Sequence, residues 1–553
     1  MNRKIKVIHK DSTIEFDEGI TYKEISEYFK QNYKYEILAA KIDNNIVDLS
    51  DTLKKKCIIE FFDRSSFIGH EIYSKSAIFI LILAVRNVLG ENVNVVIKHS
   101  MDNGVFCSLE NIKLTKEITN KIYKEMQEIV KDNYLFTKLS VSRLDAIKYF
   151  KKLNNMDKVN ELKYISNTYI NLYRINDMYN YFYSKMAYST SQINDFKLTY
   201  IKDNGFVLSI PTTSNPETTL DYVHHEKMFE KFLDYTNWGN VLGIKHAADL
   251  NNVVAKAEIV ELINLAEAHY DGQLAKIVDD IFSSKRNTKV ILLAGPSSSG
   301  KTTTSKKLSI YLKSRGFITH SIELDNYFTD MEKRPLDKNG KPDFESIRAL
   351  DVDLFNKNLT DLLAGKKVDL PKFNFVLGKR EYNNNYLKLG EKDIIIIEGL
   401  HALNPELTKT IGRDQKYMIY ISPLTQINID KHNHIHTTDI RKLRRIVRDN
   451  RSRGFGAKDT ISMWPEIRAG ERENIYRFQD DVDIVVNSAL IYEIGVLKTY
   501  VEPLLFNVPE DDPAYLEALR LINFLRNFLP IPSDDVPRDS VLREFIGGSC
   551  FKG

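Results

Sequence analysis

The sequence predicts a multidomain α/β protein whose C-terminal half is built on a parallel sheet, and three observations predict it. At 553 residues the chain exceeds what one hydrophobic core organises, so three or four domains are expected. The wholly apolar run Val290–Ala294 passes into a glycine-rich turn and then a helical pattern, the order of a buried parallel strand crossing to its helix. Roughly the first sixty residues alternate apolar and polar in short runs around one helix, which predicts a small mixed sheet. Composition narrows the function classes. The 78 Lys+Arg against 75 Asp+Glu leave a net charge of +3, too even for a chain that coats nucleic acid or membrane by bulk charge. Hydrophobic residues at 43% supply ample core material and argue against extensive disorder. Cys57, Cys107 and Cys550 are far apart and form no Cys-x-x-Cys pair, so neither a disulfide framework nor a cysteine zinc site is expected. The start, MNRKIKVIHKD, lacks the apolar centre of a signal peptide, and the run over residues 77–85 is far shorter than the ~20 residues that span a bilayer. No membrane and a reducing cytoplasm are the expectation.

Taken in order, Ile5 and Val7 and then Ile14 and Phe16 mark paired strands. Thr21 and Glu24 form a capping box that opens a helix carrying Ile25, Tyr28 and Phe29. Residues 37–42 read as a strand turning at Asn44-Asn45 into residues 46–49, and residues 58–62 close the unit. That order is β-grasp-like. The stretch LAAKIDNNIVDLSDTLKKKCIIEFFD resembles the TGS domain found at the head of threonyl-tRNA synthetases and some GTPases. The resemblance implies a module that binds RNA or a regulator, with Lys54, Lys55 and Lys56 as candidate phosphate contacts and a solvated loop as the plainer reading.

The stretch from about residue 67 to 190 is similar in layout to the editing domain of threonyl-tRNA synthetase, an α+β unit. That family uses an H-x-x-x-H pair on the first helix and a later Cys-x-x-x-His. Here Ser74 and Ile78 stand in place of the helical pair, and no cysteine lies between Cys107 and Cys550. A binding or scaffolding role is therefore expected instead of editing. His224, His225, His246 and His269 follow at irregular spacing and read as ordinary surface or core histidines. The expected domains are 1–63 (TGS-like β-grasp), 64–215 (editing-like α+β), 216–285 (helical connector), 286–505 (phosphate-binding domain) and 506–553 (C-terminal tail).

The most informative stretch is Gly295-Pro296-Ser297-Ser298-Ser299-Gly300-Lys301-Thr302, which fits G-x-x-x-x-G-K-(S/T) throughout and continues through Thr303 into a helix ending near Gly316. Glycines let successive backbone N–H groups turn inward onto phosphate oxygens, and the helix adds the positive end of its dipole. Lys301 supplies a compact charge for the β- and γ-phosphates of ATP, and Thr302 a hydroxyl for Mg²⁺. Two strand ends supply acids. Residues 320–324 end at Asp325, a candidate base for an acceptor hydroxyl, and residues 394–397 end at Glu398, a candidate to hold Mg²⁺ through water. Arg441, Arg445 and Arg448 share one helical face in IRKLRRIVRDNRSRG, with Arg451 and Arg453 beyond, and read as a lid over the transferring phosphoryl group.

Together these elements, from about residue 289 to 486, resemble the uridine kinase and phosphoribulokinase family of P-loop kinases. Position by position, the resemblance puts the catalytic aspartate on Asp325 with Tyr327 beside it, and the acid holding the ribose hydroxyls on Glu345. It puts the arginine-rich segment on Arg444, Arg445, Arg448 and Asp449, and the lid arginine on Arg453. The segment that reads the pyrimidine in uridine-cytidine kinases falls on residues 371–380, where Phe373 can stack on a base and Arg380 is retained, but Gly378 stands where that family has its histidine. The C-terminal tail, REFIGGSCFKG, reads as terminal packing through Phe545, Ile546 and Phe551. The arrangement of all parts resembles a group of bacterial TGS-containing nucleoside kinases. It implies an ATP- and Mg²⁺-dependent kinase acting on the 5′-hydroxyl of a nucleoside, with self-association and an RNA contact through the N-terminal domains. Two alternatives stay open: a kinase of another small hydroxyl metabolite, and an ATP-dependent RNA- or ribosome-associated regulator.

Overall fold

The alternating N-terminal segments close into a five-stranded mixed sheet in the order Ser12–Asp17, Lys4–His9, Cys57–Asp63, Ile37–Ile42, Asn45–Val47, in which Lys4–His9 and Cys57–Asp63 run parallel. The structure is a computed structural model that describes all residues except 1–2, 102, 203–204, 285, 337–339, 341–342, 344–345, 375–376 and 552–553. The helix Tyr22–Phe29 covers one face of this sheet through Ile25 and Phe29, whereas Tyr28 faces solvent at 63% exposure. Its start is the expected capping box: Glu24 N–H donates to Thr21 Oγ1 at 3.2 Å and Thr21 N–H to the Glu24 carboxylate at 2.9 Å.

The second unit is organised by the helix Phe67–Leu89, which extends well beyond the apolar run at its centre. Its length and composition would suffice to cross a membrane, yet 78% of the apolar window is buried inside the protein. Burial surrounds it, which is why it shows no polar stripe: Ile78, Ile80, Leu81 and Val85 all lie in one core with the sheet residues Ile97, Cys107 and Leu208. Ser74 and Ile78, the residues standing in the place of an editing pair, are both buried. A four-stranded antiparallel sheet (Lys197–Ile201, Gly205–Ser209, Gly104–Leu109, Val95–Met101) and a three-stranded one (Met178–Tyr181, Tyr169–Ile175, Thr137–Ser142) complete the unit.

The C-terminal half is an all-parallel five-stranded sheet in the order Ile318–Glu323, Asp393–Glu398, Val290–Ala294, Lys416–Ser422, Ile484–Asn487. Alternation along the central strand decides its two faces. Val290 and Leu292 join one core with Phe229, Phe232, Phe355 and Leu359, while Ile291 and Leu293 join the other with Tyr270, Leu274, Leu308 and Leu312. The segment expected as a connector therefore folds as the helices Glu226–Leu242, Ala247–Ala255 and Ile259–Ser283, whose apolar faces form part of both layers against this sheet. Within them His269 stacks on Trp238 with ring centroids 4.3 Å apart.

A polar segment of the C-terminal half, around residues 428–436, seats the N-terminal half. Ile97 N–H donates to Lys431 O at 2.8 Å, Asn428 Nδ2 to Ile97 O at 2.6 Å, and Ser100 Oγ bonds His434 Nε2 at 3.1 Å. Lys158 Nζ meets Asp430 Oδ2 at 3.0 Å with neither side chain exposed. The first unit is tied to the second by Lys138, which reaches Asp48 at 2.8 Å and Asp51 at 2.6 Å. Removing one partner of a buried pair leaves an uncompensated charge, at a cost of about 3–5 kcal/mol. Asp430→Ala should therefore lower the thermal unfolding midpoint markedly, whereas Lys55→Ala, on an exposed pair with Asp43, should leave it within a degree or so of the parent; equal midpoints for the two variants would show that the Lys158–Asp430 pair does not hold the halves together.

Candidate active site

The central strand ends at Ala294 and the chain turns at once into the loop 295–300. Two glycines are required by geometry: a Cβ on Gly295 would collide with the carbonyl oxygen of Ile421, and Gly300 has φ +85 as it opens the helix Lys301–Ser314. Ser298 adopts φ 59, a left-handed conformation uncommon for serine and held by the surrounding contacts. Thr304 Oγ1 donates to Gly300 O at 2.6 Å and bonds the Tyr270 hydroxyl at 2.6 Å, which fixes the first turn of the helix. Lys301 lies back across the loop, its Nζ donating to Gly295 O at 2.9 Å and Pro296 O at 3.1 Å.

Parallel register brings the acids to this loop. Glu398 ends its strand directly beside Leu293 of the central strand and Glu323 of the outer one. Asp325 lies on the short 3₁₀ turn Leu324–Tyr327, two residues past Glu323, where the strand ends one residue sooner than expected. The electrostatics show a shared site. Burial pulls the Lys301 ammonium below its ordinary value against the pull of Glu398, Glu544 and Asp325. Asp325 keeps a face open to solvent, but the protein crowded around its carboxyl raises its pKa, opposed by Lys301, Arg453 and Arg334. Glu398 is pushed up to about 8, by burial first and by the neighbouring Glu544 carboxylate second. Thr302, at the mouth of the loop, is half-buried.

The arginine helix, Thr437–Ser452, does not close over the loop as a lid but braces it from within the core. Arg441 and Arg444 are 1% and 0% exposed. Arg441 Nε donates to Ser297 O at 2.9 Å and its guanidinium is paired with Glu471; the same Glu471 carboxylate accepts Ser297 N–H at 2.9 Å. Arg444 pairs with Glu493 at 2.7 Å and donates to Ser488 O at 2.7 Å. The reason is that a helix buried along most of its length can keep guanidinium groups inside only if each finds a carboxylate or carbonyl. Arg445 Nη1 donates to Ser297 Oγ at 2.6 Å, which puts it at the loop instead of on the acceptor side. Arg448 and Arg445 both pair with Asp449, at 2.7 Å and 3.0 Å. Arg453, half exposed, faces Asp325 electrostatically from the helix end.

The acceptor side departs further from expectation. Tyr327 is a core residue, 1% exposed, its ring edge-on to Phe355 and its hydroxyl accepting from Asn358 Nδ2 at 3.2 Å, so it does not present itself to a substrate. The 3₁₀ turn that exposes Asp325 necessarily points Tyr327, two residues on, into the sheet. Phe373 is also buried, with Phe328 at 5.8 Å between centroids and the Arg334 guanidinium 5.0 Å from its ring. Arg380 pairs with Asp351 at 2.8 Å. Glu345 lies outside the described residues, as do residues 375–376 of the base-reading segment. Sequence reasoning missed Glu471, Glu544 and Arg334. The first two meet the loop only through the fold, and no spacing signals them; Arg334, nine residues past Asp325, follows the strand closely enough that its place near the site could have been guessed.

Comparison with known proteins gives the following. The profile described as "Phosphoribulokinase / Uridine kinase family" matches residues 290–492. A uridine kinase of Staphylococcus haemolyticus is 30% identical over 181 residues, covering 32% of this chain and 76% of that protein. A uridine kinase of Anoxybacillus flavithermus is 28% identical over 183 residues, covering 33% of this chain and 77% of that protein. The N-terminal region is similar to a threonine–tRNA ligase of Syntrophotalea carbinolica, 29% identical over 189 residues, which cover 34% of this chain but only 30% of the ligase. The chain thus spans under a third of that relative's length.

The Arg441–Glu471 pair generates a double-variant test. Glu471→Met alone strands a buried guanidinium and should cost about 3–5 kcal/mol. Adding Arg441→Met should restore most of that stability in urea titrations, and an additive loss in the double variant would show that the two side chains act independently.

Proposed function

The chain belongs to the phosphoribulokinase/uridine kinase family, and we propose that it transfers the γ-phosphoryl group of ATP to the 5′-hydroxyl of a nucleoside, most simply a pyrimidine ribonucleoside. One observation carries the reading: the loop lysine Lys301 and the carboxylates of Asp325 and Glu398 share one electrostatic site at the carboxyl ends of neighbouring parallel strands. In this reading the loop residues from Gly295 to Thr303 cradle the phosphates through their backbone N–H groups, and Lys301 turns from the Gly295 and Pro296 carbonyls to the phosphate oxygens. Asp325 accepts the proton of the acceptor hydroxyl, a role served by a raised pKa and an open face. Arg448 and Arg453 meet the charge that develops on the transferring group. Glu345 binds the ribose by resemblance to the family.

The donor set also fits Mg²⁺. Thr302 and Glu398 offer hard oxygen ligands, and the Glu398 carboxyl, raised by burial first and then by the like charges of Glu544, Glu323 and Asp325, lies where a cation would offset those charges. Bound there with ATP, Mg²⁺ supplies charge neutralisation at the phosphate oxygens. A second acceptor class, another small hydroxyl metabolite, is favoured by the covered ring of Phe373 and the buried Tyr327, which leave little aromatic surface for a base. Contact of the N-terminal half with RNA, and self-association, are separate proposals that rest on resemblance to tRNA ligases and to the kinase family.

Asp325→Asn should abolish acceptor-dependent ADP release, slowing turnover about a hundredfold or more, the order of what loss of a general base costs, while ATP affinity stays near the parent's; retained turnover would remove Asp325 from the base role. Lys301→Ala should weaken ATP binding as well as turnover. A panel of uridine, cytidine, sugars and tRNA decides the acceptor, and ATP hydrolysis stimulated by RNA alone would sink the nucleoside reading. Since metal binding needs the Glu398 carboxylate ionised and its pKa is about 8, Mg²⁺ affinity of the nucleotide-free protein should rise about tenfold per pH unit up to about pH 8 and level off above it. A flat profile would exclude Glu398 as a ligand.

A further inference from the structure

The segment following the family-matched residues 290–492 is not mere terminal packing. Val541, Leu542, Phe545 and Ile546 belong to the core that includes Ile291 and Leu293 of the central strand, and Val541 lies directly against Gly300 of the phosphate loop. From this position the short helix Arg543–Ile546 aims one charged group into the site: the Glu544 carboxylate accepts the backbone N–H of Thr303 at 3.0 Å. Arg451 holds the segment in place, donating from Nη2 to Glu544 O at 2.9 Å and from Nε to Phe545 O at 3.1 Å, and Lys307 pairs with Asp539 at 3.0 Å. The Arg444 guanidinium stacks 4.9 Å from the Phe545 ring.

Two physical facts bear on that carboxylate. The helix Lys301–Ser314 has a glycine N-cap with no side-chain cap bond, so its first-turn amides need an outside acceptor. An amide at the N-terminus of a helix following such a loop is where a nucleotide phosphate is received. Glu544 supplies an anion at that place from within the chain, beside Glu398, which it opposes by like charge. A nucleotide phosphate and the carboxylate have the same sign and need the same donor, so one excludes the other.

We propose that Glu544 is an autoinhibitory gate of the nucleotide site: its carboxylate stands in for a phosphate on the Thr303 amide, and ATP binds only by expelling it. The inference rests on the phosphate-loop reading above. The gate lowers ATP affinity without touching the acceptor side, and anything that draws residues 539–547 off the loop raises that affinity.

The test is equilibrium titration of ATP into the full-length protein, its Glu544→Gln and Glu544→Ala variants, and Lys301→Ala. The glutamine is isosteric and keeps an acceptor for the amide, so it guards against misfolding, with the thermal midpoint as the check. Expected are ATP affinities raised several-fold in Glu544→Gln and on the order of tenfold in Glu544→Ala, the size of one lost charge repulsion and a freed donor. Affinity equal to or weaker than the parent's in both variants, with Lys301→Ala still impaired, would overturn the gate and leave the phosphate loop standing. Absence of ATP binding by parent and variants alike would overturn both.

Discussion

The phosphate loop keeps its shape because one buried ion pair grips a single residue from both sides. Arg441 donates to the carbonyl of Ser297 and Glu471 accepts its N–H, while the two charged groups neutralise each other out of water. A loop rich in serine and glycine has no apolar side chains with which to anchor itself, so its conformation has to be imposed by polar neighbours. Arg444 and Arg445 extend the same logic to Ser298 and to the Ser297 hydroxyl. The arginine helix therefore contributes structure first and local positive potential second, and at its C-terminal end Arg453 faces Asp325 while Arg448 pairs with Asp449.

On the other side of the loop the constraint is register. Hydrogen bonding between parallel strands sets Glu398 level with Leu293 and Glu323, and the turn after Glu323 carries Asp325 to the same edge. No side-chain contact is needed to bring these carboxylates together; the sheet does it. Burial at that edge raises Glu398 and Asp325 and lowers Lys301, while the attraction between the lysine and the acids opposes each shift.

Much of this was legible in the sequence because it is local. The run from Val290 to Thr303 is contiguous, and strand, loop and helix follow from apolar run, glycines and helical pattern with no knowledge of the rest. The capping box at Thr21 and Glu24 is likewise a matter of four residues. What local pattern conceals is direction. Tyr327 sits two residues from Asp325, and proximity in sequence suggested a shared role, yet the turn sends one outward and the other into the core. Arg441, Arg445 and Arg448 share a helical face, but a face says nothing of whether water or protein lies against it. Glu471 and Glu544 were out of reach altogether, since each acts on the loop from a distant part of the chain.

That distance has a kinetic meaning. The contact between Thr303 and Glu544 spans 241 residues, and the Val541–Phe545 side chains complete the same apolar core that the central strand begins. Contacts of such long range come late, because the entropy of closing the intervening chain must be lost before they return any stability. During synthesis the strand, loop and first helix emerge well before the segment that covers them. The loop is thus bare in the nascent and partly folded protein and covered only once folding ends, so a nucleotide meets an open loop during biogenesis and a covered one in the mature chain.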